Sequence, residues 1–391
     1  MVKSRILWGL WIILTVIFWI FADGYLGIFL PAVSLTLPLF SGLVTKLASK
    51  NLEVFIKTGI SGEKGQMVSG KITLVNRSLF PLDRIVCTLR CENLLTGEQY
   101  RPAVRTAVPG HMRVRREIEF QSRRCGRIRL QLKRVTVYDP FGLFRFQVKI
   151  KGETEALTLF RPHTFGLETQ ISYGENMNLD SDEYSMQKAG FDPSETFAIR
   201  DYRPGDRVRQ IHWKLSEKLD NLMVRDYGLP IQNTILLLLE TGRLPGEAKP
   251  EPECLDALAE GILSLSQELV EQQIIHTVGW QNHEEGTYNS REISGQEDLM
   301  ELMPRLLGAV PGEDPLSVAG HYLESHECCE FAHVVIFTAQ RLGDLALIED
   351  QCLVTEIICE QRGGGGYQME GLRMLTVSPD SIADDLAYLE I

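Results

Sequence analysis

At 391 residues, 44% of them hydrophobic and 24% charged, the chain has the composition of a globular protein able to bury cores, which excludes a disordered polymer. Its net charge of −12 and the lack of aromatics interleaved with its arginines exclude nucleic acid as the expected partner. The charge is split, with 33 Lys+Arg against 23 Asp+Glu in residues 1–232 (+10) and 7 against 29 in residues 233–391 (−22).

Ile6 to Ala22 is an almost unbroken apolar run carrying Trp8, Trp11, Trp19 and Phe21, and Tyr25 to Val44 is a second, with Pro31 and Pro38. Each is long enough to cross a bilayer, the first near the short end of the ~17–25 residue range. A signal peptide suits the first run poorly: it is aromatic, has no small-residue cleavage site and is followed at once by the second run. The Asp23-Gly24 break predicts a transmembrane hairpin over residues 1–45. Lys3 and Arg5 precede it and Lys46 and Lys50 follow it, which predicts a two-pass plasma-membrane protein with its soluble domains in the cytoplasm. Eight Cys without a Cys-x-x-Cys pair agree with reduced cytosolic thiols.

Over residues 46–160 short alternating segments recur: Leu52–Ile56, Gly70–Val75, Ile85–Leu89, Val114–Phe120, Ile128–Leu132 and Phe144–Val148. Even spacing and period two predict an immunoglobulin-like β-sandwich. Tyr138–Phe144 reads as a turn with aromatic plugs, and Asn76-Arg-Ser78 as a glycosylation sequon that a cytosolic location makes irrelevant. Gly65–Lys71 fits a phosphate loop only until Ile72 and leads into a strand, so it is rejected. Arg113, Arg115, Arg116, Arg123, Arg124, Arg127, Arg129, Lys133 and Arg134 crowd these strands. They suit membrane lipid headgroups beside the anchor, the acidic C-terminal region, or solvated faces with local pairs.

Residues 161–190 are polar and aperiodic and read as a long connection, with Asp180-Ser-Asp-Glu183 a solvated acidic loop. Ile199 to Lys214 then packs four Arg, two Asp, a Pro-Gly turn and a Trp into sixteen residues. Pro204-Gly205-Asp206 is a tight turn with a strand before it and a strand or short helix after it. From residue 229 strands and helices alternate. Thr234–Leu239 reads as a strand buried on both faces, and Leu255, Leu258, Ile262, Leu265 and Leu269 form a helical stripe after Pro252. Strands Ile274–Trp280, Phe331–Thr338, Leu353–Cys359 and Leu372–Val377 and helices Leu299–Leu307, Leu316–Leu323, Leu342–Ile348 and Ile382–Leu389 complete a doubly wound α/β domain. Arg362–Tyr367 reads as a flexible glycine loop. His321, His326, Cys328 and Cys329 fit no zinc spacing.

Glu195-Thr-Phe197, Arg200-Asp-Tyr202, Pro204-Gly205-Asp206, Arg209, Ile211, Trp213-Lys214 and Leu222-Met-Val-Arg225 form an ordered signature, preceded by Arg123-Arg-Cys-Gly126 and Tyr138–Phe144. It resembles that of the bacterial membrane proteins carrying domain of unknown function 58. The chain departs after Lys214, where Glu217-Lys218 replaces the small residue and Arg of many members. With the resemblance, the expected fold is α+β multidomain: hairpin 1–45, β-sandwich 46–160, connection 161–190, signature segment 191–228 and a von Willebrand factor A-like α/β domain over 229–391. The resemblance also implies partnership with a MoxR-type AAA+ ATPase in a chaperone or envelope-maintenance system.

A-type domains of this kind usually bind a divalent cation through Asp-x-Ser-x-Ser after the first strand. Here Glu240-Thr241-Gly242-Arg243-Leu244 keeps one carboxylate, lacks both serines and adds a cation, so neither a metal nor another cofactor is expected. Two readings of the signature stay open. Arg200, Asp206, Arg209 and Trp213 either lock the sandwich to the α/β domain in a buried network, or Arg203, Arg207, Arg209, Lys214 and Trp213 form a docking or anion-recognition surface. The leading expectation is a non-enzymatic, membrane-anchored cytosolic interaction protein with Glu195, Arg200, Tyr202, Pro204, Gly205, Asp206, Arg209, Trp213, Lys214 and Arg225 as its signature residues. The alternative, an enzyme acting on envelope components through 195–225, needs Asp206 or His212 as acid or base and a pocket beside it.

Overall fold

The computed structural model describes residues 2–21, 24–151, 154–170, 184–190, 192–201, 212–219, 222–230, 235–325, 331–343, 345, 348, 352–361, 365–369 and 372–390. Two N-terminal apolar helices are followed by sheet-rich domains in an α+β architecture. The chain divides into two compact units, Met1–His163 and Thr164–Ile391. The hairpin and the sandwich therefore belong to one body.

In the first unit, helices α1 (Val2–Phe21) and α2 (Tyr25–Ser49) are both long and apolar enough to cross a membrane. Leu7, Leu14, Leu26 and Phe40 are exposed on them, a surface that water does not favour. Trp11 donates to Ser34 Oγ at 3.0 Å and joins the two helices. Ten strands follow: β1 (Leu52–Thr58), β2 (Ser61–Glu63), β3 (Met67–Asn76), β4 (Leu82–Asn93), β5 (Gln99–Tyr100), β6 (Ala103–Val108), β7 (Arg113–Gln121), β8 (Gly126–Tyr138), β9 (Arg145–Val148) and β10 (Glu155–Arg161). One sheet has the order β1-β3-β7; the other has β2-β10-β8-β4-β5, with β6 on β4 and β9 on β8. Inward residues at period two, among them Val54, Ile56, Ile72 and Leu74 from one sheet and Ile85, Leu89, Leu130 and Val137 from the other, share one core. That arrangement is a β-sandwich.

Buried asparagines brace its turns. Asn76 donates to the carbonyls of Phe80, Val108 and Pro109 and accepts from Ser78 N and Oγ. It is 1% exposed, so the sequon is consumed by architecture. Asn93 accepts from the N–H groups of Leu95 and Thr96 and donates to Cys125 O. Gly126, at φ 137°, leaves room for it: a Cβ there would lie 2.2 Å from Asn93 Oδ1. The basic strands are partly paired, with Arg124 on Glu98 and Arg129 on Glu155. The six described cysteines are free thiols, and burial pushes the Cys87 thiol up to about 12.

In the second unit, the span expected as a structureless connection holds β11 (Glu168–Gln170) and β12 (Tyr184–Gly190). β11 pairs in parallel with β22 (Tyr388–Glu390), a partner more than 200 residues away that no local pattern announces. Asp180–Glu183, read as a solvated acidic loop, lie outside the described residues. β13 (Asp192–Asp201), helix α3 (Trp213–Leu219) and β14 (Met223–Pro230) carry the signature. There follow β15 (Ile235–Leu239), α4 (Pro252–Glu271), β16 (His276–Asn282), β17 (Thr287–Ile293), α5 (Gln296–Leu306), α6 (Val318–Ser325), β18 (His333–Thr338), β19 (Leu353–Cys359), β20 (Gly365–Met369) and β21 (Leu372–Val377). The main sheet has the order β17-β16-β15-β18-β19-β21-β20, parallel at its centre and closed by an antiparallel strand at each edge.

β15 is buried at every residue, as its unbroken apolar run requires. The glycine-rich segment expected as a loop contributes β20, paired to β21 from Gly365↔Thr376 to Met369↔Leu372. Glycines pair through backbone alone, so no alternation marks the strand. Of the helix expected over 382–389, only Ile382–Asp385 is helical before the chain turns into β22. The helix expected at 342–348 lies largely outside the described residues.

Candidate functional site

The signature forms an antiparallel pair. β13 runs against β14 with Ile199 opposite Arg225, Arg200 opposite Val224 and Asp201 opposite Met223, and a register shift between Asp192 and Thr196 brackets Glu195. Trp213 opens α3, and Lys214 is exposed. A strand and a short helix thus flank the expected turn, while Tyr202, Arg203, Pro204, Gly205, Asp206, Arg207 and Arg209 lie outside the described residues. His212, considered as a general base, is used otherwise. Its Nδ1 accepts from Leu215 N at 3.2 Å and its carbonyl accepts from Ser216 N, so the imidazole caps α3. Ser216 Oγ in turn accepts from Met223 N at 2.9 Å and ties the helix to β14.

A second constellation gathers at the carboxyl edge of the parallel sheet, where open α/β sheets expose loops to ligands. Glu240 follows β15 and is 3% exposed. Its Oε1 accepts from Gly242 N at 2.7 Å and its Oε2 from Val318 N at 2.6 Å, tying the first strand to the start of α6. Thr241 Oγ1 donates to Gln281 O at 3.4 Å. Gln281 Nε2 donates to Asp314 Oδ2 at 2.9 Å and lies 2.8 Å from His321 Nε2, which is itself 3.1 Å from Asp314 Oδ1. Arg243 pairs with Glu313 at the rim.

Two buried polar atoms here have no hydrogen-bond partner, Gln281 Oε1 and His283 Nε2. A Cβ on Gly242 would fall 2.5 Å from His283 Nε2 and 3.0 Å from Glu240 Oε1, so the glycine is what lets the ring approach the carboxylate. Burial pushes His283 below the ordinary histidine range, against the pull of Asp314 at 3.9 Å and with help from the charge of His321. Burial raises Asp314, but the N–H of Leu316, Gln281 and His321 outweigh it and hold the carboxyl low. A neutral imidazole beside a carboxylate, with an unused amide oxygen, can exchange hydrogen bonds with an incoming polar group.

The residues do not fit the hard cation that A-type domains hold. Such an ion needs convergent oxygens, whereas both Glu240 oxygens accept backbone N–H groups and a histidine nitrogen stands over Gly242. Among the described residues no group of three or more His, Cys, Asp or Glu is placed to hold a metal ion. His326, Cys328 and Cys329 lie outside the described residues. The sequence pointed to Glu240, Thr241 and Gly242 but not to Gln281, His283 or Asp314. Parallel crossovers bring these together, and the local signal was limited to two polar side chains closing an apolar strand.

No protein-family model matches the chain, and no curated protein matches it. Solved structures give partial likenesses. An alkylpurine DNA glycosylase of Pseudomonas fluorescens, bound to DNA containing an abasic-site analogue, is 13% identical over 36% of this chain and 41% of its own, with a TM-score of 0.22. The chain therefore spans less than half of that enzyme. A CARDB domain from Pyrococcus furiosus, in complex with di-metal ions, is 11% identical over 28% of this chain and 94% of its own, with a TM-score of 0.21. A β-glucosidase of Listeria innocua is 13% identical over 26% of this chain and 16% of its own, with a TM-score of 0.18. Likenesses at this level carry no functional argument.

Proposed function

We infer that the chain is a membrane-anchored cytosolic interaction protein of the domain of unknown function 58 family. In this reading α1 and α2 span the plasma membrane, the sandwich is immunoglobulin-like, and the parallel sheet is a von Willebrand factor A-like domain whose carboxyl edge docks a protein. The observation that supports it most is the edge itself. Glu240 is spent on the backbone of its own loops, while Gln281 Oε1 and His283 Nε2 are left over for a polar partner. The −22 charge of residues 233–391 suits a basic partner surface and salt-sensitive association. The signature resemblance supports a MoxR-type AAA+ ATPase as that partner.

Binding of the full chain in lipid nanodiscs to the purified MoxR-type ATPase of the same bacterium, followed by interferometry, tests this reading. The dissociation constant is expected to rise at least about tenfold as salt goes from roughly 50 to 300 mM. Absence of binding at both salts would contradict the partnership.

A further inference from the structure

One end of the sandwich carries three loops whose place follows from strand register. Leu52 pairs with Asn76 and Val75 with Arg113, which puts the β3–β4 and β6–β7 turns beside the point where α2 leads into β1. Arg77 N donates to Asn51 O, Asn76 N to Met112 O and His111 N to Ser78 O, so the two turns are bonded to each other and to the end of α2. Tyr138 lies opposite both Arg84 and Arg145, which puts the β8–β9 turn at the same end. That turn grips the hairpin. Leu143 O accepts from Arg5 Nε at 3.0 Å, Phe141 packs on Trp8 with ring centroids 5.0 Å apart, and a Cβ on Gly42 would run into Phe144.

This end of the sandwich is thus level with Arg5, in the first turn of α1, and with Gly42, about two turns before the end of α2. It also presents Leu79, Phe80 and Met112, which are 75%, 48% and 56% exposed. These side chains cannot fold inward, because Asn76 and Ser78 hold the turn from beneath. Residues 77–81, 109–113 and 140–145 contain no Asp or Glu, and Arg84, Arg113 and Arg145 are exposed around them, against the exposed carboxylate of Asp83 and the partly buried one of Glu53, which Arg77 pairs. Rigid apolar tips ringed by basic side chains match the headgroup–acyl boundary of an anionic bilayer.

We propose that Leu79, Phe80 and Met112 insert into the membrane interface while Arg84, Arg113 and Arg145 hold anionic headgroups. The sandwich then sits on the bilayer in a fixed attitude. This rests on the reading of α1–α2 as a membrane-spanning hairpin, and the test separates the two. A photo-crosslinking p-benzoylphenylalanine is placed at Leu14, Leu79 or Met67 of the full chain in phosphatidylglycerol-containing nanodiscs. Met67 is exposed at the opposite end of β3.

Lipid adducts detected by mass spectrometry are expected at 14 and 79, with yield at 79 at least about fivefold above that at 67. The yield at 79 falls at least about twofold in zwitterionic nanodiscs. Adducts at 14 but not at 79, or a crosslink from 79 to protein, would overturn the insertion and leave the hairpin standing. No adduct at 14 removes the hairpin and the proposal with it. Equal yields in the two lipids overturn the headgroup contacts.

Discussion

Two pairs of buried polar residues, one in each unit, are used differently. In the sandwich, Asn76 and Asn93 direct their side-chain oxygen and nitrogen at named backbone or hydroxyl partners and hold turns in place. At the carboxyl edge of the parallel sheet, Gln281 and His283 each keep a buried atom without a partner, as Thr96 Oγ1 and Asp139 Oδ2 do singly in the sandwich. A buried polar group is costly unless bonded, so a satisfied one reports architecture and an unsatisfied one keeps capacity for a further hydrogen bond. At the sheet edge two such atoms lie within one polar cluster, and the proposed docking rests on that clustering.

The comparison breaks first at Asn93. Asn93→Ala strands three backbone groups and is expected to cost about 4 kcal/mol, read as a loss in the first unit's transition during denaturation of the full chain in detergent. A change below about 1 kcal/mol would mean that the asparagine is not structural.

Acid sharpens the comparison in the second unit. Burial, then the charge of Arg373, pushes His333 down to about 4, and burial lowers His276 against the carbonyl of Ile274. The unfolded chain protonates both near the ordinary value of about 6.5 while the fold does not, so it binds more protons in this window. Stability is present above that pH and is lost as pH falls towards 4, by about 3 kcal/mol for His333 alone. Replacing His333 with glutamine should flatten the profile in a pH series of thermal melts.

Glu240→Gln puts an amide against one of two N–H donors and should cost about 2 kcal/mol. Titration calorimetry with Mg²⁺ should show no saturable heat before or after the substitution. Saturable heat from the unsubstituted chain would reinstate a cation site. The smallest effect belongs to His283→Met. Its Nε2 has no bond to lose, so stability should move by less than about 0.5 kcal/mol while partner affinity falls.

Much of the fold was legible because burial writes itself into side chains. Ile235–Leu239 is apolar throughout, and Leu255 to Leu269 recur at helical spacing. The Tyr138–Phe144 plug was legible from its aromatics. What stayed hidden depends on pairing over distance or on backbone alone: β11 with β22, the glycine strand β20, and the polar edge strand β17. The Gln281, His283, Asp314 and His321 cluster was hidden for a further reason. Its members come from a strand end, two connections and a helix, and only the crossovers that set the sheet order make them neighbours. His212 entered only as what an enzymatic alternative would need, and its use as a helix cap leaves no pattern in sequence.

The rim of the carboxyl edge gives the most direct test. Glu285 and Glu313 are exposed there, on the β16–β17 turn and beside Arg243. For the nanodisc-embedded chain carrying Glu285→Lys and Glu313→Lys, the account predicts unchanged melting and an ATPase affinity at least about tenfold weaker. Unchanged affinity in a folded double variant would contradict docking at this edge.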